Sequence, residues 1–129
     1  MTEKEILDIH ILERKKFNLL REVLDLSKQI GESMDRNDKV SLRMLLGMRQ
    51  EPIEKLEQLK EQFTKILTDL PQGESNHLRK ILAGQTSSNK AEEGLKQQAI
   101  ATGELLQQVL VLDERINRKI AGDQSVYCK

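Results

Sequence analysis

Apolar residues recur three and four apart along most of this chain. Between Thr2 and Asp35, Leu12, Leu19, Val23, Leu26 and Ile30 keep that spacing, with Lys16 standing at the missing step. Phe17, Leu20, Leu24 and Met34 widen the stripe. Such spacing puts side chains on one face of a helix, and a stripe this broad suits a bundle better than a two-stranded coil. Thr2 and Glu5 have capping-box spacing, in which each side chain satisfies a free amide at the helix start. "DRND", Asp35 to Asp38, holds turn formers and no apolar residue, and Asn37 or Asp38 can cap the next helix. So short a connection sends the second helix back along the first.

The second helix is expected from about Lys39 to Leu70, on a seam of Leu42, Leu45, Met48, Pro52, Leu56, Leu59, Phe63, Ile66 and Leu70. Pro52 removes one backbone donor and crowds the carbonyl of Met48, which predicts a kink within one helix because the apolar period runs through it. "ESNHLRKILAG" predicts a short helix at about 75–83 that Gly84 stops. After a polar loop, "QTSSNK", a third long helix runs from about Lys90 to Ala121. Its seam is Leu95, Ala99, Thr102, Leu106, Val109, Leu112, Ile116 and Ile120. Gly122 and Asp123 are expected to end it, leaving residues 123–129 as a short flexible tail. The expected fold is all-α: one domain over residues 1–129, an elongated antiparallel bundle of three long helices plus one short helix.

Composition supports long helices and narrows the functions. Of the residues, 33% are charged and 2% aromatic, with only Pro52 and Pro71 as prolines. Lys plus Arg balances Asp plus Glu, without a basic block or stacking aromatics, so nucleic acid is not an expected partner. No apolar run approaches about 20 residues, so no membrane span is expected. "MTEKEILDIH" lacks the apolar core of a signal peptide, and the lone Cys128 cannot close an internal disulfide. Together these point to the cytoplasm.

Candidate chemistry is sparse. Glu74 and His77 have Glu-x-x-His spacing, but His10 has Leu7 at the matching place, so no metal, and no cofactor, is expected. Cys128 has no neighbouring base, and Ser33 and Ser41 have no evident histidine. Arg14, Arg49 and Gln50 would suit a dianion, yet no spacing selects them. No catalytic residue is assigned. Two apolar features remain. Met34, Met44 and Met48 meet at the first hairpin, where unbranched thioethers either fill a kink or receive a partner helix. Ala91, Gly94, Ala101 and Gly103 make the first half of the last helix small-sided, and "ELLQQVLVLDERI" then carries an apolar arc wider than one seam requires. Either the short helix covers that arc or part of it is exposed for association.

The opening hairpin "DRNDKVSLRMLLGMRQEPIEKL", the polar middle and the last helix ending "INRKIAGDQSVYCK" resemble small flagellar export chaperones of the FlgN and FliT type. The resemblance implies a non-enzymatic cytoplasmic chaperone. It implies a client too, an aggregation-prone amphipathic helix of a hook-associated or filament-cap subunit. The residues themselves suggest where such a helix would lie: between the second and last helices, with Met44 and Met48 on one wall and Leu106, Val109 and Leu110 on the other. The alternative is a structural or adaptor bundle whose exposed stripe serves self-association into a homo-oligomer.

Overall fold

A computed structural model describes residues 1–127, with side chains as far as residue 121; Cys128 and Lys129 lie outside the described residues. The chain is all-α, with helices α1 (Glu3–Asp35), α2 (Lys39–Asp69), α3 (Gln72–Leu82) and α4 (Lys90–Tyr127). Three are long and one is short, as the periodicity predicts. α4 differs at its end: it continues through Gly122 and Asp123 to Tyr127, so the segment expected as a tail from residue 123 is helical that far. Glycine inside a helix costs about 1 kcal/mol, and with no proline beyond it nothing forces a stop.

Local chemistry explains the other boundaries. Thr2 caps α1 by accepting a hydrogen bond from the Glu5 amide at 3.1 Å. At its far end Asn37 adopts the left-handed conformation, φ 56°. The Asp38 amide donates to the Ser33 carbonyl and the Asn37 amide to Met34, which closes a Schellman motif. Asp38 then caps α2 by accepting from the Ser41 amide. The three residues between them, Arg36, Asn37 and Asp38, therefore end one helix and start the next. α2 passes unbroken through Pro52, which is buried on its inner face.

Gly84 repeats the Schellman device after α3. Its φ is +77°, and an added Cβ would lie 2.9 Å from Ile100 Cγ1. Gly84→Ala is expected to cost about 1–2 kcal/mol through the left-handed backbone alone. Asn37→Gly is expected to gain a few tenths, because Asn already tolerates that region. Thermal unfolding of the two variants checks the opposite signs.

Three apolar clusters run along α1. Ile6 and Ile9 meet Leu78, Ile81 and Leu95 at one end. Leu20, Val23 and Leu24 meet Leu105 and Val109 in the middle. Leu26 and Ile30 meet Leu45 and Ile116 at the other end. α4 thus runs parallel to α1, and α2 runs antiparallel to both. α1 packs closely along α2 and along α4, whereas no described Cα of α2 comes within 8 Å of one in α4. Only their side chains meet. The bundle is a wedge with α1 at its apex.

Three polar residues occupy the buried line of α1. Glu13, Ser27 and Ser33 are buried, while Leu12 is only half-buried. They stand at core register, with Ile9 and Ile30 on the same face. No described helix is long and apolar enough to cross a membrane.

Candidate functional site

The five residues expected to line a groove are not brought together. About 100° of rotation per residue places Arg49, Ile53 and Leu56 on the flank of α2 nearer α4, and Met44 and Met48 on the opposite flank. Met44 and Met48 are 59% and 51% exposed. Met48 lines a cavity with Asn18, Arg21 and Leu26 of α1 instead. A Cβ added at Gly47 beside them would meet nothing within 4 Å. Val109 is a core residue, 4% exposed, packed against α1. Leu110 and Val111 point to solvent, and α3 does not cover them because it packs at the other end of α4, against Leu95. Of the five, Leu106 alone lines the space between α2 and α4.

That space is a cleft of about 510 Å³. Its floor is Glu13, Lys16 and Leu20 of α1. One wall is Leu56, Leu59, Phe63 and Leu67 of α2. The other is Ala99, Thr102, Gly103 and Leu106 of α4, and Leu82 of α3 borders it. The small residues of α4 now have distinct roles. Gly94 allows close packing: an added Cβ would sit 3.4 Å from His10 Cε1. Gly103 faces open space, and with Ala99 it keeps the α4 wall low.

Further along the wedge, a polar bridge ties the two splayed helices. Arg49 Nη1 donates to Asp113 Oδ1 at 2.8 Å and to Ser27 Oγ at 3.2 Å. Both partners of the ion pair are largely shielded, with side-chain exposure of 16% and 33%. This explains Ser27 at a core position, and it uses the arginine whose charge had suggested dianion binding. Neither Ser27 nor Asp113 stands out in the sequence, since each reads as a solvated polar residue.

A second polar cluster starts α4. Asn89 Oδ1 accepts from the Glu92 amide at 2.9 Å. Buried Glu92 in turn accepts from the Ser88 amide at 3.0 Å and from Asn89 Nδ2 at 3.3 Å, and it lies 2.8 Å from His77 Nε2. Burial pushes the Glu92 carboxyl up, but the hydrogen bonds from His77 and Ser88 outweigh it and leave it below its ordinary value of 4.5. Glu93 is lowered to about 2 by hydrogen bonds with Ser87, Gln97 and Lys96. Because both folded values lie below 4.5, these groups contribute stability that is complete above that pH and lost as pH falls toward about 2. Thermal melts between pH 6 and 2 are expected to show a falling midpoint, with a shallower slope in Glu93→Gln. A wild-type midpoint flat across that window would contradict the pairing.

His77 is thus engaged by Glu92, and Glu74 lies 3.1 Å from the Met1 nitrogen. Among the described residues no group of three or more His, Cys, Asp or Glu side chains is placed to hold a metal ion. Set against protein-family models, curated proteins and solved structures, the chain matches none of them.

Proposed function

We propose that this chain is a non-catalytic protein that binds an amphipathic helix across the cleft between α2 and α4. The supporting observation is the wedge: two long helices whose backbones stay apart while apolar side chains face the gap. A helix lying along the cleft would insert anchors spaced i, i+3/i+4 and i+7, the usual mode of helix-in-groove recognition. Burying one aliphatic side chain contributes about 1.5–3 kcal/mol. Three anchors, less the cost of ordering the partner, fit an affinity near the micromolar range. The walls in this proposal are Leu56, Phe63 and Leu106, in place of the methionines. In this reading Arg49 and His77 serve structural pairs.

The finer proposal is a cytoplasmic flagellar export chaperone whose client is the terminal helix of a hook-associated or cap subunit, as the hairpin's resemblance implies. Self-association is the second reading, favoured by two exposed apolar pairs, Leu7 with Ile11 on α1 and Leu110 with Val111 on α4. A tagged pull-down from cells of the native organism separates them. Recovery of a hook-associated or cap subunit, lost in a folded Leu106→Asp variant, supports the chaperone. Recovery of the chain alone, with a concentration-dependent mass, supports self-association and rejects the client.

A further inference from the structure

Two glutamates are buried in this molecule, and their surroundings differ. Glu92 takes donors from His77, Ser88 and Asn89. Glu13 is 4% exposed, and among the described residues it has no hydrogen bond or ion pair. It lies in the floor of the α2–α4 cleft. Its carboxylate opens on the cleft and is not sealed, since the fully buried side-chain polar atom left without a partner is Ser33 Oγ. A carboxylate so shielded and without a donor is disposed to take one from a bound partner. The rest of the α1 core line at that end is aliphatic, so a leucine at position 13 would satisfy packing.

We propose that Glu13 is the charged anchor of the cleft and pairs with an arginine or lysine carried within the apolar stripe of the bound helix. This rests on the helix-binding reading and specifies its partner. The shape of the cleft favours a helix over a compact small molecule. From Leu56 to Leu67 the α2 wall rises roughly 16 Å at 1.5 Å per residue, two to three helical turns. Spread over that length, the volume of about 510 Å³ is an elongated slot and not a compact cavity. Lys16 and Lys60 also line the slot. The complementary partner therefore has one basic residue among its apolar anchors and acidic residues on its flanks. An arginine there gains a charge-assisted hydrogen bond in a shielded site, where such bonds are strongest.

The test uses two helical peptides of about 20 residues, matched in apolar stripe and acidic flanks, one with Arg and one with norleucine at the central anchor. Each is titrated by fluorescence anisotropy against the full chain, Glu13→Gln and Glu13→Leu. The wild type is expected to prefer the Arg peptide by about tenfold, a modest value for a shielded charge-assisted pair. Glu13→Gln is expected to lose that preference while keeping the norleucine affinity, and Glu13→Leu to reverse it. If the wild type binds both peptides equally, the helix-binding reading stands and the Glu13 anchor falls. If it binds neither, both fall. Glu13→Gln is nearly isosteric, so its result is decisive even where Glu13→Leu alters the fold.

Discussion

Leu95→Ala is expected to lose about 2–5 kcal/mol of stability, and to loosen α3 before the rest of the molecule. Leu95 has no exposed surface and packs with Ile6, Ile9, Leu78 and Ile81, so its truncation opens a cavity where α1, α3 and α4 converge. α3 has 11 residues, too few to persist alone in water, and it is held chiefly by Leu78 and Ile81. Amide hydrogen exchange across residues 72–82 is therefore expected to approach the unprotected rate at temperatures where the α1–α2 hairpin remains protected. Val111→Ala, at an exposed position of the same helix, is the control and should change stability by less than about 0.5 kcal/mol. Uniform loss of protection along the whole chain would mean that α3 folds as one unit with the bundle.

Asp113→Ala is expected to cost about 1–3 kcal/mol, and Arg49→Met with Asp113→Leu together to recover most of it. Removing one partner leaves the other charge shielded and unpaired, and Ser27 loses part of its network. Replacing both with apolar residues removes the desolvation penalty along with the attraction, which is often neutral for shielded pairs. A double-mutant cycle by chemical denaturation measures the coupling directly. The bridge joins α2 to α4, so the cycle also reports on the wedge itself. Additive single-variant effects would mean that this ion pair does not couple the two helices.

Helix number and direction are legible in the sequence because period and punctuation agree: Thr2, Asn37, Asp38 and Gly84 each sit where a cap or left-handed residue is needed. The end of α4 is not, since Gly122 alone is a weak breaker. The candidate site is less legible, for two physical reasons. Periodicity assigns a residue to the buried face of α2 but not to its left or right flank. Which flank meets α4 depends on three-dimensional packing, and that packing leaves Met44 and Met48 outside the gap. The second reason is that Glu13, Ser27 and Asp113 are polar, so an apolar count passes over them. The register offers a clue: Glu13 stands at i+4 from Ile9 and Ser27 at i+4 from Val23, both on the buried line of α1. Leu106 is legible because it lies on the seam of α4 and faces the gap.

The most direct measurement is backbone amide chemical-shift mapping of the labelled chain as the arginine-bearing amphipathic peptide is added. A helix seated between α2 and α4 predicts shifts confined to Leu56–Leu67, Ala99–Leu106 and the neighbourhood of Glu13, with Met44, Met48, Leu110 and Val111 unmoved. Saturating shifts at Leu110 and Val111 or at the methionines, with the cleft residues silent, would contradict it and place association on the outer faces of the bundle.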